Sequence, residues 1–467
     1  MIRLKTYKSF CALLFLFSSL IAFSQKELVY RAYLIGDTGA PVMDGSDPVL
    51  EALKIEIDQE SKKSAIVYLG DNIYHNGLPP KDGPKRQKAE AKLNIQLDNL
   101  KDFKGKIYFV PGNHDWNDAK KGGLSFIKAQ EKYIEKYLDD GDIMIPDKGC
   151  PGPEIKKLGK HVVLLGMDSQ WWLHPHQDIE DFEKCNNISI SEVIQELKDR
   201  LDQYEDKFVI MAFHYPLFTN GSHNGHYTLK QMLFPLTDIK KSLYLPLPGL
   251  GFLYPFYRTA FGAKQDLPHP LYQRFKDEVL EALKGYDNVL IASGHEHALQ
   301  YFQVDQNHFI VSGSGSKSSQ LRKDKDAQFS SEKKGFSRVS FYDDGSADLE
   351  FIVINGTDVK TPFSREIISK SIALPIRSKP YDVSSSTKRD KASPIYNTSN
   401  FHQLLFGKTY RADWNTEVEV RNLNLSKEHG GLVPIKKGGG FSSNSLRLRH
   451  LTKSNMYLDL FKKVLLK

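Results

Sequence analysis

Five apolar, β-rich runs in this chain each stop at a short motif carrying Asp, Asn or His, and that repeated ending limits the fold more than any other feature. Gly36-Asp37-Thr38-Gly39 follows 28–35, Gly70-Asp71-Asn72-Ile73-Tyr74 follows 65–69, and Gly112-Asn113-His114-Asp115 follows 106–110. His214-Tyr215-Pro216 closes 207–213, and Gly294-His295-Glu296-His297 follows 288–292. Further strand patterns lie at 161–167, 308–312, 337–342 and 348–353, and helical periodicity at 86–103, 125–138, 191–204 and 272–286. Strands alternating with helices give an α/β domain with helices packed outside the sheet. In such folds ligands bind beyond the carboxyl ends of the strands, so the five endings point into one crevice. Singly, Gly-Asp-x-Gly is a common turn and a histidine after a strand is usually structural. Five together, in this order, specify a site.

The set resembles the calcineurin-like metallophosphoesterase superfamily, and in particular the purple acid phosphatases. Two details select that branch: Asp37-Thr38-Gly39, where most other members have Asp-x-His, and Tyr74 three residues after Asp71. The resemblance covers residues 28–320 and implies a four-layer α/β/β/α sandwich. It also implies two metal ions. Asp37, Tyr74 and His297 would hold Fe(III); Asn113, His214 and His295 would hold a divalent Fe, Zn or Mn; Asp71 would bridge them. Carboxylate and phenolate oxygens suit a trivalent ion, while imidazoles and a neutral amide suit a softer divalent one. Such pairs lie about 3.5–4 Å apart and clamp the attacking and leaving oxygens, with a metal-bound hydroxide as nucleophile. His114, beside the ligand Asn113, would face substrate, steadying the phosphoryl oxygens and helping the leaving group depart, with Asp115 orienting its ring. The loop Thr219-Asn220-Gly221-Ser222-His223-Asn224-Gly225-His226 resembles one that supplies a second substrate-facing histidine in small purple acid phosphatases, and His223 is favoured over His226.

The rest of the chain sets the context. Arg3, Lys5 and Lys8 precede the apolar stretch 10–23, which ends in Ala22-Phe23-Ser24; this pattern reads as a signal peptide over 1–24 and predicts an exported protein. Cys150 and Cys185 would then meet an oxidising compartment, either paired or as two free thiols. A net charge of +7 over 467 residues is too dilute for specific nucleic-acid binding and suits an anionic, phosphorylated small-molecule or protein substrate. The expected organisation is a catalytic domain over 25–355, a polar linker over 356–395 and a poorly structured C-terminal extension over 396–467. Within that extension, Tyr410-Arg411-Ala412-Asp413-Trp414 and the Gly/Lys-rich stretch 438–449 look like the junction of bacterial envelope proteins that fuse a phosphoesterase to a membrane β-barrel, so membrane or envelope association through the extension is an expectation. The segment 456–467 reads as an amphipathic helix that packs on the catalytic domain or, alternatively, lies on a membrane surface. The apolar insertion 245–257 reads as a packed insertion or a lid, and Trp171-Trp172 as a cleft wall or a core cap. The reading of the whole is an exported two-metal hydrolase of phosphate monoesters. Its alternatives are a phosphodiesterase or nucleotidase of the same superfamily, and an envelope interaction module.

Overall fold

The computed structural model describes residues 26–369 except 175–184, 187–188, 226, 228, 235–243, 248–257, 259–262, 288 and 323–325. Thirteen strands are found among them: β1 (Leu28–Ile35), β2 (Ser64–Leu69), β3 (Lys106–Val110), β4 (Glu154–Lys157), β5 (Val162–Gly166), β6 (Phe208–Ala212), β7 (Leu290–Ser293), β8 (Leu299–Val304), β9 (Asn307–Ser312), β10 (Phe329–Ser331), β11 (Lys334–Tyr342), β12 (Ala347–Asn355) and β13 (Asp358–Ile368). They form two sheets, ordered β13-β12-β11-β1-β2-β3 and β10-β8-β9-β7-β6-β5-β4. β1, β2 and β3 run parallel in the first, and β5, β6, β7 and β9 run parallel in the second.

Alternation along the strands sorts side chains into layers. In β1, Ala32 and Leu34 join Ile210, Ala212, Leu290 and Ile310 between the sheets, whereas Tyr33 and Ile35 face outward with Val49, Leu53, Leu93 and Leu97. The outward set comes from the helices Pro48–Asp58 and Arg86–Asp98. In β6, Val209 and Met211 face the opposite outer layer, against Leu197 and Leu201 of helix Ile190–Gln203 and Phe275 and Val279 of helix Pro270–Ala282. The result is helices, sheet, sheet, helices, the four layers expected from the sequence.

The helix Pro48–Asp58 escaped the periodicity reading, although its start is marked: Asp47 caps the Val49 and Leu50 amides at 3.0 and 3.2 Å, with proline at the first position. Strands β4, β8, β10 and β13 also went unread. β13 corrects the boundary at 355. Asp358–Ile368 is not linker but pairs antiparallel with β12, and its Phe363 meets Tyr301, Phe329 and Phe351. Its alternation is masked by mostly exposed polar residues, as suits an edge strand. Trp171 and Trp172 are buried in the core rather than walling a cleft, Trp172 against Phe275. Cys150 and Cys185 are disulfide-bonded, their Cα atoms 5.5 Å apart. No helix among the described residues is long and apolar enough to cross a membrane. The expected signal peptide over 1–24, the expected C-terminal extension, His226 and most of the insertion 245–257 lie outside the described residues.

Phe363→Ala in the full-length chain is expected to lower stability by about 1–3 kcal/mol, less than for a fully buried phenylalanine. Denaturant unfolding measures it, and a linker residue would give no change.

Candidate metal centre

The carboxyl ends of β1, β2 and β3 in one sheet and of β6, β7 and β9 in the other are drawn together by backbone bonds. Gly36 donates to the Ser312 carbonyl at 2.8 Å, Asp37 to Gly70 at 2.9 Å, and Gly294 to His214 at 3.0 Å. Two glycines make this approach feasible. Gly70 has φ +90°, and a Cβ there would lie 2.6 Å from His214 Nδ1; a Cβ on Gly294 would lie 2.7 Å from Asp37 Oδ2. Three of the expected ligands, Asp37 (φ 60°), Asp71 (φ 55°) and His295 (φ 66°), sit in the left-handed region that non-glycine residues enter at a cost.

Seven expected ligands converge in two groups around Asp71. In the first, the Tyr74 hydroxyl donates to Asp37 Oδ1 at 2.7 Å and lies 3.0 Å from His297 Nε2, which is itself 3.4 Å from Asp37 Oδ1. In the second, His214 Nε2 lies 3.1 Å from Asn113 Oδ1, and the His214 and His295 rings are 5.1 Å apart. Asp71 stands between: its Oδ1 is 3.4 Å from His214 Nε2, and its charge acts on the Tyr74 phenol. Asp71, His214 and His295 bring ligand atoms within 4.8 Å of one another. Backbone carbonyls fix the rings. His214 Nδ1 donates to Leu69 O at 2.8 Å and His295 Nε2 to Gln265 O at 2.8 Å, leaving the other nitrogen of each for the site.

The electrostatics suit a cation. Burial pushes the Tyr74 phenol well up, reinforced by the Asp37 and Asp71 charges. Burial opposes ionisation of Asp71, yet His214 and His114 outweigh it and hold the carboxyl well below its usual range. His214 is driven down by burial but lifted by Asp71 to about 9, which shows how strongly the neighbouring carboxylate favours positive charge here. His295 is pushed well down by burial and by the neighbouring His223 and His214, which leaves a neutral imidazole. Buried carboxylates, a phenol oxygen and imidazoles gathered this closely are a donor set that metal ions fit.

Exposure divides the site into a buried floor and a more open rim, which the expected ligand His297 shares with His114 and His223. Asp37, Asp71, Tyr74, Asn113, His214 and His295 are all buried, whereas the His114, His223 and His297 side chains are about one-fifth exposed and line the opening. The His114 Nδ1 lies 2.6 Å from the His75 carbonyl and 3.3 Å from Asp118 Oδ1, while its Nε2 faces Asp71 at 3.8 Å. The sequence expectation for Asp115 is therefore corrected. Its carboxylate turns away from His114 and accepts from the Gly112 amide at 2.8 Å and from the Asn72 amide and side chain at 3.1 Å. A short tight turn lets it reach back across its own motif; burial and the Asp71 charge push it up to about 7.

Several supporting residues had no sequence signal strong enough to read. Gln96, fully buried, accepts from Thr38 Oγ1 at 2.6 Å and donates to Asn72 O at 2.9 Å; an amide on an otherwise apolar helix face was the available clue. His223 lies against His295 with ring centres 3.9 Å apart and the planes tilted by 39°, and its Nδ1 lies 3.0 Å from Asp266 Oδ1. Burial opposes ionisation of Asp266, but hydrogen bonds from His223 and Arg258 outweigh it and hold the carboxyl at about 2. Asp266 and Arg258 come from beside the insertion, far from any motif.

A model of the calcineurin-like phosphoesterase family matches residues 30–299. No curated protein matches the chain. Among solved structures, GAP50, described as the anchor in the inner membrane complex of Plasmodium, is 16% identical with a TM-score of 0.46, over 76% of this chain and 91% of that one. The purple acid phosphatase PPD1 from yellow lupin (Lupinus luteus) seeds is 14% identical with a TM-score of 0.42, over 73% of this chain and 54% of that one. PhoD is 11% identical with a TM-score of 0.44, over 77% and 73%.

Asp115→Ala would strand three donors of the ligand-bearing turns. It is expected to lower stability by about 2–4 kcal/mol and to reduce metal content. Denaturant unfolding and elemental analysis read both, and wild-type values in both would refute the assigned role.

Proposed function

Because the chain belongs to the calcineurin-like phosphoesterase family, a family of phosphoester hydrolases, we propose that it is an exported binuclear enzyme acting on phosphate monoesters. The observation that carries this reading is the division of the donors into an oxygen-rich group (Asp37, Tyr74, His297) and a nitrogen-rich group (Asn113, His214, His295) on either side of Asp71. That division favours Fe(III) in the first and a divalent Fe, Zn or Mn in the second. When bound, such a pair supplies Lewis-acid charge and activates water.

The protein's own groups do the rest. The 2.7 Å hydrogen bond between Tyr74 and Asp37 brings their two oxygens to one point, where a bound metal would replace the phenol proton, and Leu69 and Gln265 orient the two imidazoles of the second group. The His75 carbonyl accepts the Nδ1 proton of His114, which leaves Nε2 to deliver a proton to the departing oxygen at the opening. His223, held by Asp266 and lying against His295, sits on the other wall, placed to steady a phosphoryl oxygen. Export is supported by the signal-like N-terminus and by the Cys150–Cys185 disulfide, a bond that persists in oxidising compartments.

Metal analysis of the purified protein together with a phosphate-release screen over monoesters, diesters and nucleotides tests the reading. Two variants divide the roles. Asp71→Asn should lose metal and most activity, whereas His114→Ala should keep both metals and lose turnover by about 10²–10⁴-fold. Loss of metal in His114→Ala would make it a ligand instead. Tyr74 carries a separate expectation: iron-loaded, oxidised protein should be pink to purple through phenolate-to-iron charge transfer, and Tyr74→Phe should bleach it. An unchanged visible band in that variant would remove the purple acid phosphatase assignment.

A further inference from the structure

The loop after β9, Gly313-Ser314-Gly315-Ser316-Lys317-Ser318-Ser319, belongs to none of the motifs read from the sequence. It is nevertheless bolted to two of the expected ligands. The Ser316 amide donates to the Asp37 carbonyl at 3.0 Å, the Ser316 hydroxyl donates to that same carbonyl, and the Ser319 amide donates to the His297 carbonyl at 2.7 Å. Ser314 Oγ donates to the Lys317 carbonyl at 2.9 Å. The backbone on both sides of Lys317 is thus fixed in register with the oxygen-rich group.

From this anchored position the Lys317 side chain turns inward. Its Nζ lies 3.0 Å from the centre of the Tyr74 ring, on the partly open side of the site that His114 and His297 also line. Among the described residues its ammonium makes no ion pair and no hydrogen bond. The nearby carboxylates have other partners: Asp37 takes the Tyr74 hydroxyl and the His295 amide, and Asp71 takes the His114 amide at 2.9 Å. Lys92 makes an instructive contrast, because its Nζ donates to the Tyr74 carbonyl at 2.7 Å and so already has a structural partner.

A half-buried ammonium over a ring face, with no anion paired to it among the described residues, has given up hydration without recovering it. Metal ions at Asp37 and Asp71 would neutralise two of the three carboxylates that act on it at a distance, and the third, Asp118, is already engaged by His114 at 3.3 Å and Lys120 at 2.8 Å. The anion that can satisfy it is one that arrives with the substrate. We propose that Lys317 binds a phosphoryl oxygen of the substrate, a protein-borne cation added to the metal pair on the Tyr74 side. This rests on the phosphoesterase reading and names a binding residue that the motifs do not contain.

Inorganic phosphate is the probe, titrated calorimetrically into metal-loaded protein alongside elemental analysis. Lys317→Gln is expected to keep both metals and to weaken phosphate binding on the order of ten- to a hundredfold, the loss typical of a hydrogen bond to a charged group. KM for a monoester should rise in step. Lys317→Arg keeps the charge and should stay within a few-fold of wild type. Wild-type phosphate affinity in Lys317→Gln would overturn the proposal, and so would loss of metal from it, which would make the lysine structural. Failure of Lys317→Arg to hold phosphate any better than the Gln variant would overturn it as well. Absence of turnover by the metal-loaded wild type, with phosphate still bound through Lys317, would instead count against the phosphoesterase reading alone.

Discussion

Two carboxylates, Asp37 and Asp71, are buried side by side at the ends of adjacent parallel strands, and most of the local structure follows from keeping them there. Each sits in a left-handed turn, and both are almost wholly removed from water. Burying one carboxylate is expensive; burying two within the same small volume requires donors on every side. Asp37 receives the Tyr74 hydroxyl and the His295 amide, and Asp71 receives the His114 amide and faces His214. These bonds and the nearby His214 imidazole offset part of that cost. The site is therefore held in a shape whose charge balance improves when cations enter.

That requirement also ties the two sheets together. The expected ligands do not come from one sheet edge: Asp37, Asp71 and Asn113 follow β1, β2 and β3, while His214, His295 and His297 follow β6 and β7. The His214 ring crosses the gap to the Leu69 carbonyl, and the His295 amide crosses it to Asp37. The apolar layer between the sheets, with Leu34, Val67, Ile210 and Ile310, sets the spacing that these bonds need. Packing and chemistry are in this sense one constraint: a change in the layer's thickness would part the donors from the carboxylates.

This accounts for what could be read from the sequence. The motif residues were legible because a glycine beside an Asp or His at the end of an apolar run signals a tight turn at a strand end, wherever the strand lies in the sheet. Asp115 was misassigned because adjacency in sequence suggested adjacency to His114, whereas the turn reverses its direction and gives that place to Asp118 and the His75 carbonyl. Gln96, Asp266 and Lys317 reach the site from a helix and from loops distant in the chain, and no local pattern encodes such a meeting. β13 was missed for a different reason: an edge strand exposing most of its side chains carries the composition of a linker, and only its pairing with β12 and the packing of Phe363 give it away.

The tripeptide His295-Glu296-His297 shows how far a single motif can extend its reach. Its two histidines stand in the two different groups of expected ligands: His295 beside His214, and His297 beside Asp37 and Tyr74. The glutamate between them is fully buried and accepts from the Thr219 hydroxyl and the His223 amide, each at 3.2 Å. A side chain with no place in the donor set thereby fixes the loop that brings His223 over His295. The opposite wall is fixed in the same manner, since the loop carrying Lys317 hangs from the carbonyls of Asp37 and His297. Both walls of the opening are thus anchored to the residues of the expected donor groups: the Lys317 loop to Asp37 and His297, and the His223 loop to the glutamate between His295 and His297.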